Sequence, residues 1–161
     1  MKPFDWFELL GVFLFFLGLG LVFSIISQMG FFAYLTVNQL GLSFFRTFWP
    51  WLQVAVVVVV LFDLVYFRYS IVENSSVMPY VFASIFLLLF GLLIARIKAK
   101  QTNKRAFIPA LFFMVVVTFI EWVPGLRTSG GDYAWLMIVP LLVCNTYQLL
   151  ILHRLTEKKQ A

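Results

Sequence analysis

The chain has 161 residues, of which 63% are hydrophobic, 19% aromatic and only 12% charged. A water-soluble domain carries about 25% charged residues, so this chain has too few to cover its own surface and lipid is the expected solvent. The net charge of +5 does not indicate nucleic acid as a partner, because five of the twelve basic residues (Arg96, Lys98, Lys100, Lys104 and Arg105) crowd one short connection between apolar segments. Such clusters set membrane orientation. A lone Cys144 and a lone His153 exclude an internal disulfide and a Cys/His zinc cluster.

The first residues, Met1-Lys2-Pro3-Phe4-Asp5, lack a basic leader and no small-x-small site follows, so a cleavable signal peptide is not expected. From Leu9 to Phe45 there is no Asp, Glu, Lys or Arg. About 20 apolar residues cross a hydrocarbon core as a helix, so this run is too long for one span and tight for two. It changes character at Ser27-Gln28-Met29-Gly30. The first span is therefore expected at about 7–26, with Gly11, Gly18 and Gly20 permitting close helix approach. Beyond it, Thr36, Gln39, Ser43 and Arg46 are spaced three, four and three apart, which puts them on one helix face. The simplest reading is an amphipathic helix over 31–46 lying in the cytoplasmic interface. A bent continuation of the first helix, or a re-entrant segment, would give the same pattern.

Four more spans are expected at about 51–71, 78–97, 107–123 and 133–152, the last kinked by Pro140. The Val56–Val60 run would make a poor helix in water, but in lipid each segment must satisfy its own backbone, so helix is favoured. The sequence thus predicts an all-α fold: a polytopic transmembrane helix bundle of five spans plus the interfacial helix, forming a single integral membrane domain over 1–161. Nine of the twelve basic residues then share one side, which predicts an outer N-terminus and a cytoplasmic C-terminus. Trp6, Trp49, Trp51, Trp122 and Trp135 fall near span ends, as an aromatic belt would. Asn74-Ser75-Ser76 matches a glycosylation sequon, and Gly130-Gly131 reads as an outer turn.

Ionisable groups inside spans are costly enough to need a reason. Asp63 lies near the middle of the second span, and Arg68 is five positions on, about 140° around the helix. These two would point apart. Arg68 and Glu121 lie at matching depths and are expected to form an interhelical ion pair, with Asp63 about 7–8 Å deeper and sharing a face with Tyr66 and Ser70. Asp63, Tyr66, Arg68 and Glu121 would then form an intramembrane polar cluster. It would either hold the bundle together or serve as a pocket or proton-sensing carboxylate open to the outer leaflet. Asn145 and Gln148, three apart on the fifth span, are expected to hydrogen-bond neighbouring helices. Gln28, Asn38, Gln39 and Arg46 are further candidates for helix packing or partner contact. No catalytic, cofactor or metal motif is present: there is no H-E-x-x-H, and Cys144 and His153 lie nine residues apart, too far for a local dyad.

Three blocks carry a resemblance: FSIISQMGFFAYLTVNQLGLSFFR (Phe23 to Arg46), LFDLVYFRY (Leu61 to Tyr69) and IPALFFMVVVTFIEWVPGLR (Ile108 to Arg127). They resemble the KbaA family, integral membrane proteins of spore-forming Bacillus relatives described as activating the pathway of the sporulation sensor kinase KinB. The resemblance implies a bacterial plasma-membrane accessory of histidine-kinase signalling, with membrane lipid around it and KinB, or a membrane component associated with KinB, as partner. It implies no catalytic residue, cofactor or substrate, and so no enzyme. Family members carry a further apolar span ahead of this region, so the chain lines up from about their second span. The alternative reading from the residues alone is a small transporter or lipid-handling protein using a polar outer-leaflet pocket.

Overall fold

The computed structural model describes residues 6–71, 78–127 and 131–157, which are helical almost throughout with no strand among them. Helix α1 (Trp6–Phe45) is followed by a 3₁₀ turn at Arg46–Phe48 and α2 (Trp49–Ile71). Next come α3 (Met78–Gln101), a second 3₁₀ turn at Lys104–Ala106, and α4 (Phe107–Phe112). A π-helical turn (Phe113–Val117) joins α4 directly to α5 (Thr118–Arg127), and α6 (Gly131–Glu157) is the last of the described helices. Among the described residues, four stretches are long and apolar enough to cross a membrane: Trp6–Tyr66, Met78–Gln101, Lys104–Gly125 and Trp135–Leu152. The first of them runs through α1, its turn and most of α2.

The continuous rod α4–π turn–α5 is the hub. Phe113, Met114 and Val115 are fully buried, so the π turn is enclosed on every side. Helices α2 and α3 pack on α4, α6 packs on α5, and α1 lies along α6 and the rod. Aromatic side chains fill the join between α1 and the hub. Phe31 meets the Phe113 ring edge-on at 5.5 Å, and Tyr34 lies 4.9 Å from the same ring. Such pairs are worth about 0.5–1.5 kcal/mol beyond the area they bury. At the opposite end Trp122, fully buried, meets Trp135 edge-on at 5.7 Å. Trp49 is buried as well, so the tryptophans do not form a uniform outer belt.

Helix α1 departs from expectation. It is a single helix of 40 residues, about 60 Å at 1.5 Å per residue, twice the thickness of a hydrocarbon core. The separate interfacial helix expected over 31–46 does not exist, because residues 31–45 continue α1. Its buried positions, Phe23, Ser27, Tyr34 and Gly41, follow one stripe that begins only near Leu19. Every residue from Trp6 to Gly18 is exposed. The polar spacing misleads because two of its members are satisfied inside the helix. Thr36 Oγ1 donates to the Phe32 carbonyl at 3.0 Å and Ser43 Oγ to the Gln39 carbonyl at 2.9 Å. Back-bonded hydroxyls need no water, so they are no mark of an aqueous interface.

The small residues that interrupt the apolar run are contacts and not a break. Ser27 and Gly30 face the bundle, whereas Gly11, Gly18 and Gly20 were expected to admit a neighbouring helix and do not: a Cβ added at any of them would meet nothing within 4 Å. At Gly41 a Cβ would fall 2.3 Å from the Trp49 indole, and this close approach lets α1 fold back on α2. Gly41→Leu should therefore displace Trp49 and cost about 1–3 kcal/mol as overpacking, read as a lower melting temperature in detergent. Gly18→Leu, which meets open space, should leave melting unchanged; equal losses in both would show that α1 packs along its whole length.

Candidate functional site

A buried polar cluster joins α1, α5 and α6. Ser27 and Asn145 are fully buried, as is Thr118, and Glu121 is 7% exposed. Asn145 is the hub: its Oδ1 accepts from Ser27 Oγ, and its Nδ2 donates to Thr118 Oγ1 at 2.9 Å and Glu121 Oε2 at 2.8 Å. An amide can do this because it carries both an acceptor and two donors. Thr118 and Glu121, three apart on α5, meet it from one face, and Ser27 reaches it from α1. Gly30, one turn further along, leaves room for the carboxylate: a Cβ there would fall 1.9 Å from Glu121 Oε1. That oxygen has no hydrogen-bond partner among the described residues.

The other sequence-derived residues lie elsewhere. Asp63 is half-buried on α2. Tyr66 is exposed and stacks on Phe62 at 5.7 Å. The side chains of Arg68 and Ser70 lie outside the described residues, and with them the expected Arg68–Glu121 pair. Glu121 takes its described bond from Asn145. Gln148 is half-buried, and its Oε1 is unpartnered among the described residues. Gln28 and Gln39 are exposed. Asn38 works at the turn between α1 and α2, where its Oδ1 accepts from Trp49 Nε1 at 2.8 Å and Gln53 Nε2 at 3.2 Å.

The basic residues also divide. Arg96, Lys100, Lys104 and Arg105 are exposed, but Lys98 is 5% exposed and its Nζ donates to the Leu149 carbonyl at 2.6 Å, tying α3 to α6. Arg46 closes the α1–α2 turn with φ of 38°, a left-handed conformation that costs a non-glycine residue of order 1–3 kcal/mol.

Sequence reasoning missed Ser27, Gly30, Thr118 and Gln53. The stripe Phe23, Ser27, Gly30, Tyr34 at steps of four, three and four could have exposed the first two; nothing local singles out Thr118 or Gln53. Chemically the cluster is suited to holding helices together. Ser27 gives its proton to an amide oxygen, which is no base, so no nucleophile is activated there. No group of three or more His, Cys, Asp or Glu side chains that could hold a metal occurs among the described residues.

Asn145→Leu should strand several buried groups at once, at about 1–3 kcal/mol for each, while Ser27→Ala alone should cost about 1 kcal/mol. In a double-mutant cycle read by thermal unfolding in detergent, Ser27→Ala should add almost nothing to Asn145→Leu. Additive losses would show that the two residues do not act through one bond.

Comparison with known proteins fits this geometry into a family. The KbaA family, described as KinB-signalling pathway activation in sporulation, matches residues 1–155. The KinB-signaling pathway activation protein of Bacillus subtilis (strain 168) is 42% identical over 155 residues, covering 94% of this chain and 78% of that protein. No solved structure matches. With a family match across nearly the whole chain, the protein belongs to the KbaA family of KinB-signalling pathway activation in sporulation.

Proposed function

We propose that this protein is an integral plasma-membrane accessory that activates KinB signalling by packing against the membrane part of the kinase, or against a membrane component that controls it. Binding one state of the kinase better than another shifts its equilibrium toward that state, and differential affinity is all that such a mechanism needs. Family membership and the 42% identical relative support the pathway.

The observation that carries the mechanism is the N-terminal part of α1. Leu10, Phe13 and Leu17 are 57%, 61% and 47% exposed, on a segment whose residues from Trp6 to Gly18 are all exposed. Lipid can cover such a surface, and so can another membrane helix, for which the ring faces of Phe13 and Phe16 offer contact area. The charge pattern supports the C-terminus and both 3₁₀ turns on the cytoplasmic side. The catalytic step belongs to the kinase in this reading, and the accessory supplies no chemistry of its own.

Deleting the protein should lower phosphorylation through KinB while leaving a sister sporulation kinase unaffected; equal loss through both would point to a general membrane role. Phe13→Ala with Leu17→Ala should reduce KinB-dependent phosphorylation several-fold, as truncation of anchor side chains does at an interface. The same pair should leave the thermal stability of the purified protein unchanged, because both side chains stand outside the packed core. Unchanged signalling by this variant would remove the N-terminal part of α1 from the mechanism.

A further inference from the structure

At one end of the bundle the α1–α2 turn and the α3–α4 turn come together, and a cleft of about 740 Å³ lies between them. Arg46 from the first turn and Lys104 and Arg105 from the second stand on its rim, all three exposed. Among the described residues, no Asp or Glu lines it. Leu42, Trp49, Pro50, Ile108 and Pro109 make most of its wall, and Asn38, Thr47 and Gln53 are its uncharged polar members.

One buried group in that lining is incomplete. Gln53 is 1% exposed, its Nε2 is committed to Asn38 at 3.2 Å, and its Oε1 has no hydrogen-bond partner among the described residues. A buried amide oxygen without a donor is costly, and Gln53 is among the residues that line the cleft. The left-handed backbone at Arg46 holds a cation over the same opening. Strained residues persist where the surrounding structure fixes them, often at ligand clamps.

We propose that this cleft binds a phosphate group carrying a neighbouring hydroxyl, the headgroup chemistry of a glycerol-headed anionic phospholipid. Arg46, Lys104 and Arg105 take the phosphate oxygens as charge-assisted hydrogen bonds, the Gln53 side chain turns toward the cleft so that the hydroxyl donates to its Oε1, and the apolar part of the wall receives the start of the acyl chains. Basic pockets between membrane helices are known to bind phospholipid headgroups. Soluble glycerol phosphate shares the polar part of this chemistry but leaves the walls unused. The site rests on the membrane placement proposed above and not on the pathway, so its test reads binding and not signalling.

The full-length protein, purified in neutral detergent, is titrated with phosphatidylglycerol and followed by native mass spectrometry, with phosphatidylcholine, phosphatidylmethanol, glycerol 3-phosphate and inorganic phosphate as separate arms. Preference for phosphatidylglycerol over phosphatidylcholine is expected. Lys104→Gln with Arg105→Gln should weaken it at least about tenfold. Arg96→Gln with Lys100→Gln, which removes the same charge outside the cleft, should change it by less than about twofold. Equal loss in both double variants, or no preference for phosphatidylglycerol in the wild type, overturns the site. Weaker binding of phosphatidylmethanol, which lacks the hydroxyl, supports the role of Gln53; equal binding overturns that role. Saturation by glycerol 3-phosphate at the affinity of the lipid supports the phosphate site and assigns it a soluble source. If the first double variant does not fold, Arg46→Gly removes one cation while relieving the positive φ, and unchanged lipid affinity in that variant overturns the proposal.

Discussion

At Gly30 the backbone of α1 lies against the Glu121 carboxylate, one turn from where Ser27 donates to Asn145. A side chain larger than hydrogen at position 30 would force the Glu121 carboxylate and the Val117 side chain to shift, and with the carboxylate the bond that Asn145 gives it. The consequences run outward from this approach. It brings Ser27 to the amide that also holds Thr118 and Glu121, and it lines up Phe31 and Tyr34 with Phe113. It also decides which part of a 40-residue apolar helix belongs to the bundle. The segment from Leu19 onward is held by packing and polar bonds, while the segment before it is left to whatever surrounds the protein.

Much of the architecture was legible in the sequence, because segments long and apolar enough to cross a membrane have few alternatives to helix if their backbone must satisfy itself. The helices over 78–97 and 107–123 were expected from apolar runs bounded by charged or turn residues. What could not be read was the partition of Leu9–Phe45. Hydropathy reports that residues avoid water; it does not report whether they meet lipid or protein. Thr36 and Ser43 looked like a wet face, yet their protons go to their own helix carbonyls. Depth matching suggested Arg68 for Glu121, a pair outside the described residues, and the rotation that brings Asn145, read as glue for neighbouring helices, to the same carboxylate was not legible. Partner choice between helices depends on their rotation about their own axes, and no single segment encodes that.

The family assignment and the physical reading address different questions and meet at α1. Membership ties the chain to KinB signalling in sporulation, and it assigns no chemistry to any residue. The buried cluster carries no activated nucleophile, and its hydrogen bonds run between helices. In the mechanism proposed above, the protein influences others through the surfaces it presents. The long apolar arm of α1 and the basic end of the bundle are two such surfaces, and they lie at opposite ends of the same helix.

The π turn at Phe113–Val117 sets the angular phase of everything after it. An i→i+5 ring holds one residue more than the i→i+4 ring of an α-helix, so it delays the following residues by about 100° relative to a regular helix. Thr118 and Glu121 face Asn145 only with that delay in place. Were Phe107–Arg127 wound as an uninterrupted α-helix, the same two side chains would leave α6, and Asn145 would lose the acceptors of both its protons. The hub helix thus works as a fixed gearing between its two halves, presenting one side to α2 and α3 and, after the offset, another to α1 and α6.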